Sequence, residues 1–170
     1  MKTPPNTLQE TFEALLIQTL ASEKKYVKLF AQFSDLAFTD QLSAALSPSR
    51  NELEQHVDRL LQILKHLNLR PSREGSSVDD ALLDLGKEIC GYKKQRSVYK
   101  DIQILGAAKL ITYHQISIYS TLEAMVKQLG VEQYALLLEQ TCVECRNAAG
   151  YFYQIEQNIL YPGIVTSERV

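Results

Sequence analysis

The first apolar stripe of the chain carries an acid where a leucine is expected. Leu8, Phe12, Leu15, Leu16, Leu20, Glu23, Val27 and Phe30 follow one another at steps of three and four, which puts them on one helix face. A carboxylate buried there costs several kcal/mol unless a cation, a metal or a hydrogen-bond donor meets it. One chemistry that uses such acids is a di-metal centre in a helical bundle. It needs a Glu from each of two helices and Glu-x-x-His from each of two others, because residues three or four apart on a helix reach the same point. The chain offers part of this set. Glu23 supplies the first helix, and Glu52 and His56 lie four apart on or beside the second seam. On the fourth helix the inward position is Thr112, followed by His114 and Gln115. On the fifth, Glu144 stands between two cysteines and Ala148 follows. The candidate metal ligands are therefore Glu23, Glu52 and Glu144, with His56 or His114 as the nitrogen donor. Iron and manganese prefer several hard oxygens, and three scattered acids fall short of that. The competing reading is structural: Glu23 is a core acid bonded to a Tyr, His or Lys of another helix, and the histidines are satisfied half-buried or surface residues.

Cys142-Val143-Glu144-Cys145 is a C-x-x-C within a helical pattern. A redox motif of that form needs a βαβ context, and a zinc site needs two further ligands nearby. Cys90 and His114 are not spaced to provide them, so reduced core thiols are expected. Tyr113, Tyr119, Tyr134, Tyr151 and Tyr153 fit core edges or an interface better than redox roles. There is no Gly-rich phosphate loop, no Ser-His-Asp order and no acid/base pair. Neither catalytic nor cofactor-binding residues are assigned, and the reading leans to a protein that is not an enzyme.

Long helices must position these residues. Thr7-Leu8-Gln9-Glu10 reads as a capping box, after Pro4 and Pro5, and the first helix runs to about 34–36. The second seam is Leu42, Ala45, Leu46, Leu53, Val57, Leu60, Leu64 and Leu67, interrupted by Pro48. There the chain either restarts a helix or kinks one. Residues 70–77 form a breaker-rich loop, and a shorter helix runs from Asp79 to about Tyr92. The fourth helix spans about Ser97 to Gly130, a good left-handed cap. The fifth runs from about Glu132 to Leu160, where Pro162-Gly163 is expected to end it, leaving a loose tail. Four long helices and one short connecting helix predict an all-α up-down bundle, one domain over residues 7–161 with tails at 1–6 and 162–170.

The chain has 170 residues, 45% hydrophobic and 22% charged, with a formal net charge of -2. These are ordinary globular values. The charge argues against non-specific nucleic-acid binding, which needs a basic face. Lys93, Lys94, Arg96 and Lys100 make only a short basic run, read as a solvated helix end. No apolar stretch reaches a membrane span and no signal-peptide core opens the chain. Three cysteines fit reduced thiols, and a cytoplasmic location is the expectation.

At four places the chain resembles the YciE/YciF-type ferritin-like family. Leu15-Leu16-Ile17-Gln18-Thr19-Leu20-Ala21-Ser22-Glu23-Lys24 resembles the family's first-helix stretch ending in Ala-Glu-Lys. Glu52-Leu53 with Val57-Asp58-Arg59-Leu60 resembles its Glu-Thr and Arg-Leu pattern. Ile116 to Leu122 with Gln128-Leu129-Gly130 resembles its Tyr-Gly-Thr-Leu and Leu-Gly, and Leu137-Leu138-Glu139-Gln140-Thr141 its Leu-Leu-x-Glu-Thr. The resemblance covers about residues 9–160. It implies a ferritin-like four-helix bundle with an additional short helix in the crossover, a homodimer, a link to stress responses and inward acids for a di-metal centre. Glu23, Glu52 and Glu144 match the family's acids. Thr112-Tyr113-His114-Gln115 departs from its Glu-His-Tyr-Glu-like run, and Cys142 to Ala148 departs from its acidic run. The expectation is thus a bundle with a degenerate metal site, no cofactor and a structural or interaction role through an unidentified protein partner. The alternative is an iron, manganese or zinc protein with redox or storage activity.

Overall fold

A computed structural model describes residues 4–92 and 96–168. Lys93 and Lys94 of the short basic run lie outside the described residues, as do 1–3 and 169–170. The elements are α1 (Leu8–Leu36), α2 (Asp40–Leu46), α3 (Leu53–His66), α4 (Ser77–Gly91), α5 (Val98–Gln128), α6 (Glu132–Ile155), a π-helical turn (Glu156–Leu160) and α7 (Tyr161–Glu168). The chain is an all-α bundle: α1, α3, α5 and α6 surround the core, and α4 lies in the crossover from α3 to α5, packed on α1 and α5.

Local chemistry explains most boundaries. Thr7 accepts from the Glu10 N–H at 3.1 Å, as a helix cap should. Glu10 reaches back one residue further than a capping box requires, to the Asn6 N–H at 2.7 Å. At the end of α5, Gly130 takes φ 75°. The N–H groups of Gly130 and Val131 then bond the carbonyls of Lys127 and Val126, the paired bonds of a left-handed helix stop. Asn68, at φ 55°, ends α3 in the same way, with Asn68 and Leu69 bonding Lys65 and Leu64.

Two expectations are corrected. Pro48 neither kinks a helix nor opens one at its own position: α2 ends at Leu46, a turn follows, and α3 begins at Leu53. The segment expected as a tail after Pro162-Gly163 is helical through Glu168, with Ile164 buried. Proline removes one helical hydrogen bond and clashes with the carbonyl four residues earlier. Here it falls on the first turn after the π-helical bulge, where the carbonyl register has already shifted, so the helix continues.

The interior is divided along the bundle axis. One apolar cluster packs Tyr26, Leu29, Phe30 and Phe33 of α1 against Ile104, Leu105, Ala108 and Ile111 of α5 and Phe152 of α6. The other packs Phe12, Leu16 and Leu20 against Leu60, Ile63 and Leu64 of α3, Leu122 and Val126 of α5 and Leu138 of α6. Of Ile104, Ile111 and Ile118, whose seven-residue spacing suggests a second apolar stripe on α5, the first two are buried in the first cluster and Ile118 packs half-buried against the second. Where the two clusters meet, buried polar residues collect: Ser22, Glu23, His56, Asp79, Thr112 and Gln115 are each under a tenth exposed.

Candidate functional site

Glu23 is 1% exposed at the centre of this polar layer, where its place in the α1 seam puts it. Its Oε1 accepts from Gln115 Nε2 of α5 at 2.8 Å. Its Oε2 has no hydrogen-bond partner. Burial pushes the carboxyl up to about 7, and the Gln115 amide recovers only part of that shift because it brings a donor but no charge.

His56, also 1% exposed, projects from α3 between two acids. Its Nδ1 is 4.0 Å from Glu23 Oε2, and its Nε2 is 3.3 Å from Glu144 Oε2. Neither ring nitrogen has hydrogen-bond geometry with any group. Burial pulls its pKa down to about 4, against the pull of Glu144, so the ring is neutral at neutral pH. Its edge meets the Tyr119 ring at 5.8 Å and 68°. The Tyr119 hydroxyl, fully buried, makes no well-formed hydrogen bond, yet it stands close enough to the Glu23 carboxylate to offset a little of the effect of burial there.

Glu144 of α6 is clamped by Arg59 of α3. One guanidinium nitrogen bonds Glu144 Oε1 at 2.7 Å; the other bonds Oε2 and also the Thr141 hydroxyl at 3.0 Å. Burial raises the Glu144 pKa but Arg59 outweighs it, and the carboxyl ends below its ordinary value. Both side chains are about one-tenth exposed, and a two-pronged pair of this kind is among the stronger contacts available to a carboxylate.

Asp79, a site residue that sequence reasoning missed, forms a second centre beside Glu23. It sits in the first turn of α4 and closes a capping box, with the Ser76 Oγ accepting from the Asp79 N–H at 3.1 Å and the Asp79 carboxylate receiving the Ser76 N–H. Its Oδ1 also accepts from the Tyr26 hydroxyl at 2.6 Å and lies 3.1 Å from His114 Nε2; its Oδ2 accepts from Ser76 Oγ at 2.6 Å. Burial alone would raise its pKa, but His114, Ser76 and Tyr26 together hold it well below the usual carboxylate range. The Ser76-x-x-Asp79 spacing was the available signal. Asp79, His114, Glu23, Gln115 and the partnerless Ser22 hydroxyl line one cavity of about 20 Å³, room for a single water.

The structure therefore brings Glu23, His56 and Glu144 into one layer and leaves two candidates out. His114 turns to Asp79. Glu52 precedes α3 with φ 65°, so it stands off the helical seam and lines an open groove with Arg50, Asn147, Tyr151 and Glu144 itself. The imidazole of His56 lies between the two remaining acids and offers each a different nitrogen, so they do not converge on one point. Among the described residues no three His, Cys, Asp or Glu side chains are gathered closely enough to hold a metal ion. The donor set does not fit a di-metal centre: Arg59 occupies Glu144, Gln115 and Thr112 face inward without charge, and Cys142 and Cys145 are buried thiols whose pKa burial raises.

Comparison with known proteins agrees with the fold. The family model described as "Domain of unknown function (DUF892)" matches residues 7–160. Protein YciF of Escherichia coli (strain K12) is 25% identical over 139 residues, 81% of this chain and 83% of that protein. The crystal structure of the E. coli stress protein YciF superposes with a TM-score of 0.81 at 22% identity, over 89% of this chain and 95% of that one. YcfI from Rhodopseudomonas palustris does so with a TM-score of 0.80 at 22% identity, over 90% and 97%. The family model spans well over half of the chain, so the chain belongs to the DUF892 family, the YciE/YciF-like helical bundles.

Proposed function

We propose that this protein is a metal-free, non-enzymatic bundle of the YciF type that acts as a homodimer, in stress physiology, by binding another protein. The observation that carries the reading is the self-matching of its polar layer. Gln115 meets Glu23, Arg59 forks onto Glu144, and His56 stands neutral between them. Arg59 balances the charge of Glu144, and the uncharged Gln115 and His56 stand where a metal pair would need charged donors, so the contacts of the layer tie α1 to α5 and α3 to α6. A solved relative is the E. coli stress protein YciF, which supports the physiological setting. Leu110 and Tyr113 on α5 and Leu136, Val143 and Tyr153 on α6 stand 44–66% exposed, which supports an interaction surface. No described helix is long and apolar enough to cross a membrane, which is compatible with the expected cytoplasmic setting. The rival reading, a metal protein with redox or storage activity, draws on the partnerless Glu23 Oε2 and His56 Nδ1.

Elemental analysis of untagged protein purified without chelator separates the two. The expected result is well under one metal per chain and a melting temperature indifferent to EDTA. Two equivalents of iron or manganese, lost in Glu23→Ala, overturn the metal-free reading. Sedimentation at micromolar concentration tests the dimer, and a mass near 19.3 kDa ends that part.

A further inference from the structure

An open groove of about 380 Å³ runs between the turn after α2 and the second half of α6. Its apolar part is Ala44, Ala45, Ala148 and Phe152, and the three alanines leave a hollow that larger side chains would fill. Its polar part is Arg50, Glu52, Asn147 and Tyr151, with Glu144 at hand but taken by Arg59. Arg50 and Glu52 are unengaged. Among the described residues neither has an ion pair or a side-chain hydrogen bond, although they stand two apart in the chain. Arg59 feels Glu52 only as a charge beyond ion-pair distance. Glu52 holds the N-cap position of α3 without capping it, and does so at φ 65°, a backbone region that glutamate seldom enters. Its carboxylate therefore serves neither the helix nor another side chain.

We propose that this groove binds a free α-amino acid with an apolar side chain, its carboxylate toward Arg50, its ammonium toward Glu52 and its side chain on the alanines and Phe152. The charges select the class. A ligand of one sign would be drawn to one of the two side chains and repelled by the other, whereas a zwitterion is drawn to both. A nucleotide brings more negative charge than Arg50 meets, and Glu52 and Glu144 repel it. The Asn147 amide, which both donates and accepts, suits either end of a zwitterion. The size fits as well, since small-molecule sites begin at about 300 Å³. The groove lies outside the polar layer, so the inference does not depend on the metal-free reading.

The test is titration of isotope-labelled full-length protein with L-phenylalanine at mildly acid pH, followed through the backbone amide resonances. Saturable shifts centred on residues 44–52 and 144–152 are expected. The dissociation constant should be on the order of 1 mM, as for a ligand of about a dozen heavy atoms in an open groove. N-acetyl-L-phenylalanine lacks the ammonium and L-phenylalaninamide lacks the carboxylate. Each should bind about 3–10-fold more weakly, the effect of one partly exposed charge contact. Two variants separate the ends. Arg50→Gln should weaken L-phenylalanine by that factor and leave L-phenylalaninamide unchanged or tighter. Glu52→Gln should weaken L-phenylalanine likewise and leave N-acetyl-L-phenylalanine unchanged or tighter. Circular dichroism checks that both fold, and if either does not, the three ligands on the unchanged chain decide. Absence of saturable shifts far above the expected constant, shifts centred elsewhere, or equal binding of the three ligands overturns the inference. So does a variant, folded, that weakens all three ligands alike.

Discussion

Glu23 and Asp79 are two buried carboxylates on the wall of the same cavity, and they are treated in opposite ways. Asp79 collects the Tyr26 and Ser76 hydroxyls, the Ser76 N–H and the His114 ring, and is ionised. Glu23 has one amide donor, and its carboxyl rises to about 7. Glu23 is the more deeply buried of the two and also has fewer donors, so burial and donor number together decide which one carries charge. The difference follows from where each stands. Asp79 is at a helix start, where backbone N–H groups are free and loop hydroxyls are at hand. Glu23 is in mid-helix, where its own backbone is fully used and donors must come across the bundle.

The largest effect is expected from dismantling the well-served acid. Asp79→Ala removes the carboxylate half of the α4 capping box, while Ser76 Oγ keeps its bond from the backbone N–H at 79, and leaves the Tyr26 hydroxyl without its acceptor in the core. Losing the carboxylate half of the box costs about 0.5 kcal/mol, the low end for a cap, and a buried unsatisfied hydroxyl about 1–3 kcal/mol, so urea unfolding should show a loss of about 2–3 kcal/mol. A loss below 1 kcal/mol would mean that the Asp79 network is ornamental.

Next comes the clamp that holds the third acid. Arg59→Met leaves Glu144 nearly buried without its cation, and a loss of about 2 kcal/mol is expected, toward the lower end for breaking an enclosed pair because both side chains keep some contact with water. Replacing both, as Arg59→Met with Glu144→Gln, should recover most of it. If the double variant is no better than the single, the repulsive cost assigned to a lone Glu144 is wrong.

The pH dependence tests the contrast through Glu23 and His56. The Glu23 carboxyl moves from 4.5 up to about 7 on folding, so the stability it contributes is complete below 4.5 and is lost as pH rises through 7. His56 moves from 6.5 down to about 4, so its contribution is complete above 6.5 and is lost as pH falls through 4. Between about 4.5 and 6.5 the two slopes oppose, and the natural chain should be nearly flat there. Glu23→Gln unmasks histidine: stability should then fall on acidification from 6.5 to 4. It should also match or exceed the natural chain at pH 8, because a displacement from 4.5 to about 7 is on the order of 3 kcal/mol against the charged form. Chemical denaturation across pH 4–8 reads both arms, and a Glu23→Gln chain that tracks the parent at every pH would contradict the assignment.

How far the sequence reaches is clear from these same residues. Glu23 was legible because a single acid interrupts a regular apolar stripe. His56 was legible because it shares the α3 seam. Glu144 was found, but its partner was not, because Arg59 lies 85 residues away and spacing along one helix says nothing about contacts between helices. Glu52 misled: the turn after Pro48 gives it a left-handed backbone outside the helix, and helical arithmetic does not apply there. Asp79 was passed over because an acid in a first turn is ordinary. Only the fold of α4 onto α1 and α5 gives it Tyr26 and His114. The helices themselves, including the stops at Gly130 and Leu67-Asn68, follow from local rules. The last turn does not, because the π-helical bulge before Pro162 is set by packing.

The finest test of the contrast lies at Gly75, just before the Ser76 cap. A Cβ there would meet Ser22 Oγ at 2.7 Å, too close to stay. Ser22 neighbours Glu23 in sequence, is buried, and its hydroxyl has no partner. Rotating that hydroxyl away therefore breaks no well-formed hydrogen bond and loses only its loose approach to Asp79, and the added methyl reduces the freedom of the unfolded chain by about 0.4–1 kcal/mol. Steric cost and entropic gain oppose, and Gly75→Ala should destabilise by no more than about 0.5 kcal/mol. Ser22→Ala alone should cost well under about 1 kcal/mol, since the hydroxyl makes no well-formed hydrogen bond and gives up only a loose approach to the Asp79 carboxylate. The informative quantity is the coupling of the two. With the Oγ gone the new methyl has room, so the double variant should be more stable than the sum of the singles by about 0.5–1 kcal/mol, the range for residues in contact. Additive effects would place the Ser22 hydroxyl away from Gly75, and with it the cavity wall that Glu23 and Asp79 share.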